Sequence, residues 1–238
     1  RHDRYSDVDS ATSGRLSLGY EFSPRVRLRA GIASAFKAPT FDDLYFPGFG
    51  NAALKPERAR SIEAGLRYQL ADHGYLDAAV FSNRLRDLIT FDGQLLKPIN
   101  VDRAKSDGIE LTFAREVFGL QLSASATWQN ARNETTDERL LRRARWFGAV
   151  SAVAPMARGS VQLRLRTSGA REDNSFDFTR RVSLGGYAIA DVWANYAFSK
   201  NTRLEVSLEN VLDKDYEQAH GYNVTPRTLL VRLSRRLP

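Results

Sequence analysis

The stretch RLSLGYEFSPRVRLRAGIASAF (residues 15–36) alternates apolar and polar residues on both sides of a tight turn at SPR (23–25). Its apolar residues share one face of each segment: Leu16, Leu18, Tyr20, Phe22, Val26, Leu28, Ala30, Ile32 and Phe36. Polar residues and glycines, including Arg15, Glu21, Arg27 and Arg29, fall on the other face. A period of two predicts β-strands.

The same alternation recurs along the whole chain. It is regular in residues 60–70, 108–115, 119–128, 160–167, 202–209 and 228–235, and less regular in 75–89, 145–154 and 187–198. With a partial strand at the N-terminus, we count about twelve strands. The pattern therefore predicts an all-β, antiparallel protein.

Composition restricts the class further. No run of eighteen uncharged apolar residues is present, which excludes a membrane-spanning helix. The net charge is +7, but the arginines are scattered through the alternating segments, so no nucleic-acid partner is expected. The absence of cysteine excludes disulfides and thiolate metal sites.

The polar face distinguishes between two kinds of β protein. Soluble sandwiches and barrels also alternate, and that alternative stays open on alternation alone. Here the polar face carries many Arg and Glu residues, which suits the hydrated lumen of a membrane barrel. The other face stays apolar apart from Arg235, near the end of the last segment. Such a face is suited to contact a lipid bilayer.

The connections alternate between tight and long. Tight turns are expected at 23–25, 71–74, 116–119, 154–158 and 199–201, and long loops at 37–58, 90–104, 132–143, 168–184 and 213–226. Short turns at one rim and long loops at the other are typical of a transmembrane β-barrel of the cell outer membrane. Aromatic residues occur at both expected interfaces, with Tyr20, Phe22, Tyr68, Tyr196 and Phe198 near the turns, and Phe36 and Trp128 near the loops.

Three segments resemble the TonB-dependent receptors, and in particular their cobalamin-transporter branch. They are GNAALKPE (50–57), SLENVLDKDYEQAHGYNVTPRTLLVRLS (207–234) and LLRRARW (140–146). The resemblance implies an antiparallel barrel of 22 strands that encloses a plug domain. Residues 1–238 would then be the C-terminal part of this barrel, with about twelve strands, and without the plug, the TonB box and the early strands.

The resemblance also implies a function. The whole protein would be a monomeric outer-membrane receptor that imports a scarce large ligand, above all cobalamin, with energy supplied by TonB through the missing N-terminal region. A siderophore or haem receptor of the same superfamily is the alternative. No enzymatic activity is expected, and because the family's calcium-binding loop lies upstream, neither a metal nor a cofactor is expected here.

Six residues are candidate substrate-binding residues. The resemblance places Arg142 at the position of a substrate-contacting arginine, Tyr222 at a loop tyrosine of the same site, and Phe176 near a third contact. The loop 37–58 adds Tyr45, Phe49 and Asn51, whose aromatic rings and amide suit a large, partly apolar polyamide ligand.

Two alternatives of another class stay open: a complete small barrel enzyme and a passive porin. Asp42 and Asp43 form the one acidic pair that could serve catalysis or bind a cation, and His2, His73 and His220 form no metal-binding motif. Barrels of this family usually end in an aromatic residue, whereas this chain ends in Leu237-Pro238.

Overall fold

The computed structural model describes residues 1–5, 10–71 and 74–236, and the side chains of residues 101 and 102 are not described. His73 and the terminal pair Leu237-Pro238 lie outside this part of the chain. One short helix, α1, spans Phe41–Tyr45, and none of the described helices is long and apolar enough to cross a membrane. The strands are β1 (His2–Asp3), β2 (Ala11–Thr12), β3 (Arg15–Ser23), β4 (Val26–Lys37), β5 (Glu57–Gln69), β6 (Tyr75–Asp92), β7 (Lys97–Val117), β8 (Leu120–Asn133), β9 (Trp146–Met156), β10 (Gly159–Ser168), β11 (Arg171–Asn174), β12 (Arg181–Leu184), β13 (Tyr187–Ser199), β14 (Thr202–Glu209) and β15 (Thr228–Arg235).

Eleven strands form one antiparallel sheet in which neighbours in sequence are neighbours in space. The order runs from β3 to β10 and then through β13 and β14 to β15, while β11 and β12 form a separate hairpin within a loop. At the N-terminus, β1 pairs with β2, just before β3 begins. The all-β antiparallel prediction and the count of about twelve strands are confirmed. In the described residues the sheet is open, with β3 and β15 at its two edges.

The register confirms that the two faces of the sheet differ. One row crosses six strands and is apolar throughout: Ala30, Ala64, Val80, Ile109, Trp128 and Trp146. Several of these side chains are half exposed, and no other element of the described chain covers them. This is the face that the sequence predicts to contact lipid, and we call it the outward face.

The opposite face carries paired charges. Arg29 on β4 reaches across β5 to Asp77 on β6, with Nη1 and Nη2 at 2.8 and 2.7 Å from the two carboxylate oxygens, and Arg67 adds a bond of 2.9 Å. Gly65 makes this possible, because a Cβ there would lie 2.6 Å from Cζ of Arg29. Asp77 is 9% exposed. Opposite charges therefore pair on the polar face of these strands, the face that the sequence predicts to line the lumen.

One predicted loop is wrong. Residues 90–104 were expected to form a long loop, but β6 continues to Asp92 and β7 begins at Lys97, so a four-residue turn joins them. Asp92 Oδ1 closes this turn by accepting hydrogen bonds from the N–H groups of Gln94 and Leu95. The backbone pairing of β6 and β7 continues beyond the residues that alternate between apolar and polar. The alternation alone therefore could not show where these strands end.

The prediction that the outward face is apolar apart from Arg235 is also wrong. Beyond Ile62, the same face of β5 carries Arg60 and then Arg58, and the paired positions on β6 are Arg84 and Arg86. The reason is the position of these residues along the membrane normal. A charge on this face is costly only inside the hydrocarbon layer of the bilayer, and the strands extend beyond that layer.

Candidate ligand-binding site at the loop rim

Three long connections meet at one end of the sheet, and a single carboxylate joins them. They are residues 134–145 between β8 and β9, 169–186 between β10 and β13, and 210–227 between β14 and β15. Asp173 in the second connection accepts hydrogen bonds from Nε of Arg142, at 3.0 and 2.9 Å, and from the N–H of His220, at 2.8 Å. These three residues come from the three different connections, so Asp173 fixes their relative positions.

Asp173 is a buried charge, with 1% of the residue exposed. Burial by itself raises the pKa of its carboxyl group, but the hydrogen bonds from His220 N–H, Arg142 and Asn174 N–H offset this and lower the pKa below its ordinary value of 3.8. The carboxylate is therefore ionised at neutral pH and fully engaged by protein donors. Its stabilising contribution is present above the unfolded-state pKa and is lost as the pH falls through the lower folded-state value.

Arg142 is held at both its backbone and its side chain. Its φ angle is +59°, and its N–H donates to the carbonyl of Glu172 at 2.7 Å. Nε binds Asp173, yet the side chain stays 58% exposed. The terminal guanidinium nitrogens can therefore donate hydrogen bonds to acceptor groups of a ligand.

Phe176 and Tyr222 belong to the same cluster. The ring of Phe176 lies 4.9 Å from the ring of His220 and closes over Gly221. A Cβ at Gly221 would lie 1.8 Å from Cζ of Phe176, and the glycine has a φ of +72°, so no other residue fits there. Tyr222 follows directly and is exposed. Arg142 and Phe176 are thus both linked to His220, and Tyr222 lies two residues further along the same connection.

A second polar contact reinforces the cluster on its outer side. Arg181 on β12 binds Glu172 at 2.6 Å and Glu138 at 3.0 Å, and it also donates to the carbonyl of Arg139 at 2.8 Å. Glu138 and Arg139 lie in the connection 134–145. The hairpin β11–β12 is therefore fixed to that connection at two places.

The connection 210–227 also folds over the top of the polar face. Asp191 is completely buried, where it binds Arg166 at 2.8 Å and accepts the N–H of Asn210 at 3.0 Å. Nearby, the ring of Tyr216 lies 4.3 Å from the ring of Tyr187, and burial raises the pKa of Tyr216. These contacts attach the connection 210–227 to the strands of the sheet on which the rim is built.

The connection between β4 and β5 (residues 38–56) is held by the hydrogen bonds of a helix cap and of an asparagine side chain. Thr40 and Asp43 form a capping box at the start of α1, so Asp43 stabilises the helix. Asn51 donates through Nδ2 to the carbonyl of Pro98 at 2.9 Å and accepts the N–H of Ala53 at 3.1 Å. The predicted binding residue Asn51 therefore uses its amide to attach this connection to the β6–β7 hairpin.

Tyr45 and Phe49 present partly exposed rings on this same connection. Tyr45 packs against Phe41 with ring centres 5.0 Å apart, and Phe49 lies 6.1 Å from Phe46. Within residues 1–5, 10–71 and 74–236, neither ring contacts the cluster around Asp173. The six predicted residues thus form two groups rather than one.

A further aromatic contact links the rim to the β6–β7 hairpin. The ring of Phe178 lies 5.6 Å from the ring of Phe91, and it packs over Gly93 at the tip of the hairpin. The hairpin in turn holds the connection 38–56 through Asn51. The rim is therefore continuous from the first group of aromatic rings to the cluster around Asp173.

Sequence reasoning missed Asp173 and His220 as organisers of the rim. Asp173 is a single acidic residue in a polar segment, and His220 contributes its backbone N–H, which every residue except proline has. No group of three or more His, Cys, Asp or Glu side chains able to hold a metal ion occurs in the described part of the chain.

Comparison with known proteins identifies the family to which this fold corresponds. The family model described as "TonB dependent receptor-like, beta-barrel" matches residues 1–211. The vitamin B12 transporter BtuB of Vibrio vulnificus (strain YJ016) is 34% identical over 228 residues, covering 91% of this chain and 36% of the transporter.

Two solved structures have the same fold. The ferric enterobactin receptor PfeA of Pseudomonas aeruginosa, as a mutant in complex with enterobactin, aligns with a TM-score of 0.79 and 23% identity, covering 98% of this chain and 42% of the receptor. The siderophore receptor PirA of Acinetobacter baumannii aligns with a TM-score of 0.79 and 17% identity, covering 97% and 41%. The chain thus spans less than half the length of these relatives.

Proposed function

The chain belongs to the TonB-dependent receptor family, and we propose from this premise that its loops capture cobalamin for import across the outer membrane. Its open sheet is part of an outer-membrane β-barrel, and its long connections form one rim of that barrel. The family consists of transport receptors, so a complete barrel enzyme is not supported.

The choice of cobalamin rests on sequence similarity. The vitamin B12 transporter of Vibrio vulnificus is 34% identical over the 228 aligned residues, which cover 91% of this chain. The siderophore receptors are similar at 23% and 17% identity, which supports a common fold but not a common ligand. Siderophores and haem remain the competing ligands in the binding test below.

The observation that carries the proposal is the cluster around Asp173. It presents a cationic side chain with free donors, Arg142, beside the rings of Phe176 and Tyr222. A large ligand with several amide carbonyls and a flat ring system offers acceptors to the guanidinium and apolar surface to the rings. The partner groups are fixed before binding, which lowers the entropic cost of capture.

The rest of the receptor is part of the proposal. Because the chain spans 36% of the vitamin B12 transporter, we propose that earlier strands complete the barrel and that a plug occupies its lumen. The polar face, with exposed charges such as Glu63 and Arg27, is suited to contact such a plug. TonB would act on the plug from the periplasm and supply the energy for import.

The test is ligand binding by the purified full-length receptor. Equilibrium dialysis with cyanocobalamin is expected to show saturable binding, which Arg142→Ala weakens by a factor of about 30, equivalent to about 2 kcal/mol for a central arginine contact. Arg143→Ala, in the same segment, is the matched control and is expected to change binding by less than about threefold. Binding of a ferric siderophore or haem with no binding of corrinoids would contradict the cobalamin assignment.

A further inference from the structure

Four arginines form a cluster on the outward face of β5 and β6, directly above the apolar part of that face. The register pairs Arg58 with Arg86 and Arg60 with Arg84, and it places Ile62 opposite Ser82 in the row below. Since side chains on a strand alternate between faces, these arginines project from the same side as Ile62. All four are exposed.

The four arginines line a cavity of about 550 Å³. Ile62 lies at its lower edge, next to the apolar row, and Ser34, Phe36 and Ser82 complete the outward wall. Ala11 and Thr12 of β2, together with Ala35 and Ala59, form the rest of the lining. The charged wall of the cavity therefore belongs to the outward face, and the residues of the rim cluster around Asp173 do not line it.

The positive charge of this cavity is only partly neutralised. Arg84 binds Asp107 on the neighbouring strand at 2.9 Å, and Lys105 binds the same carboxylate at 2.8 Å. Arg58, Arg60 and Arg86 form no ion pair with any residue that the structure describes. Within the described residues, three guanidinium groups thus line one cavity without a counter-charge, and such a cavity attracts an anion.

The position of the cavity along the membrane normal indicates which anion is available to bind in it. Immediately below it, the outward face becomes apolar at Ile62, Val80 and Ile109, which are all half exposed. A charge on the lipid face of a barrel is costly in mid-bilayer and close to neutral at the interface, so the arginines lie at the level of the lipid headgroups. Guanidinium groups bind phosphate oxygens in bidentate geometry more effectively than ammonium groups do.

We propose that this cavity binds the phosphate group of an anionic lipid in the outer leaflet, with the acyl chains of that lipid against Ile62 and Val80. Arg58, Arg60 and Arg86 supply the donors, and the apolar row supplies the contact for the chains. The site is separate from the ligand-binding rim, and it does not depend on which ligand the receptor imports.

The test uses the delipidated full-length receptor in detergent, titrated with bis-phosphorylated lipid A. A nearby basic residue contributes a factor of about five to the affinity for an anionic lipid, so the variant Arg58→Gln/Arg60→Gln/Arg86→Gln is expected to bind about a hundredfold more weakly. The matched control, Arg27→Gln/Arg164→Gln/Arg203→Gln, removes the same charge from the lumen face and is expected to change the affinity by less than about threefold.

Two further ligands separate the possible sources of the phosphate. Dephosphorylated lipid A is expected to bind the wild-type receptor as weakly as bis-phosphorylated lipid A binds the triple variant, and inorganic phosphate is expected to bind more weakly still. Equal affinity of the wild-type and triple variants for bis-phosphorylated lipid A would overturn the proposal. Inorganic phosphate that binds as tightly as the lipid would overturn the assignment to a lipid. Unchanged cyanocobalamin or siderophore binding by the triple variant verifies that it is folded.

Discussion

The wall of the sheet and the loop rim are stabilised in different ways. In the wall, many side chains contribute to stability in the same way, because alternate residues of the eleven strands lie on one largely apolar face. In the rim, a few polar residues hold whole connections: Asp173 joins three of them, and Asn51 and Asn100 attach a fourth. We therefore expect the wall to tolerate apolar changes but not charge, and the rim to depend on individual polar atoms.

The largest expected effect is a charge placed in the wall. Val80→Arg puts a guanidinium in the apolar row and is expected to lower the free energy of unfolding by about 2–4 kcal/mol. The control Ser34→Arg lies two rows higher, level with Arg60 and Arg84, and is expected to cost about 0–1 kcal/mol. Urea unfolding of the full-length receptor in lipid vesicles measures both. An equal decrease in the free energy of unfolding for both variants would show that the outward face has the same environment in these rows.

The next effect is the loss of the rim carboxylate. Asp173→Asn keeps the shape but weakens the bonds to Arg142 and His220 and leaves a buried polar group poorly satisfied, which is expected to cost about 1–3 kcal/mol in local stability. The control Glu172→Gln affects a more exposed ion pair with Arg181 and is expected to cost less than about 1 kcal/mol. Hydrogen exchange of the backbone in residues 169–186 and 210–227 reports the difference. Unchanged exchange in the Asp173 variant would contradict its role as organiser.

The rim is also expected to respond to acid. Because the pKa of Asp173 is lowered in the folded state, its contribution is complete at neutral pH and is lost as the pH falls below 3.8. Spin labels at Thr136 and Asn223, one on each neighbouring connection, are expected to move apart in this range. In Asp173→Asn the distance is expected to show no such transition, and a transition of the same size there would assign the effect to another group.

The difference between wall and rim also explains what could be predicted from the sequence. Alternation in segments such as 15–36 is repeated so often that the strands, their faces and the fold follow from it. The ends of β6 and β7 could not be found in this way, because their outward residues Arg84, Arg86 and Arg103 no longer alternate with apolar ones.

At the rim, the sequence gives candidates but not their contacts. Arg142, Phe176 and Tyr222 were identified by resemblance, and the structure brings them together. Their organiser, Asp173, has no pattern of its own, since its partners are a side chain 31 residues away and a backbone N–H 47 residues away. Asn51 lies in a loop, as predicted, and its amide also attaches that loop to the β6–β7 hairpin, a contact that the sequence did not show.

A smaller effect is expected from the amide that attaches the first connection. Asn51→Ala removes the hydrogen bonds to Pro98 and Ala53 and is expected to cost about 0.5–1.5 kcal/mol. Faster hydrogen exchange should be confined to residues 38–56, with residues 169–186 unchanged. Faster exchange in both regions would show that the two parts of the rim are coupled more strongly than their contacts indicate.

The smallest effect is expected for an apolar truncation in the wall. Leu163→Ala shortens a half-exposed side chain on the outward face of β10, and lipid chains can fill the space that it leaves. The expected loss is about 1 kcal/mol or less in the unfolding assay used for Val80. A loss as large as that of Val80→Arg would mean that this face is packed against protein.

The assignment of the two faces is tested most directly by the accessibility of adjacent residues. The chain contains no cysteine, so Ile62→Cys or Glu63→Cys adds a single labelling site to it. Each replacement is spin-labelled separately in a receptor whose remaining segments also lack cysteine, reconstituted in bilayers. The account predicts that the label at residue 62 collides with oxygen dissolved in the acyl chains, and that the label at residue 63 collides with a water-soluble nickel complex. The reverse pattern, or the same environment for both labels, would contradict it.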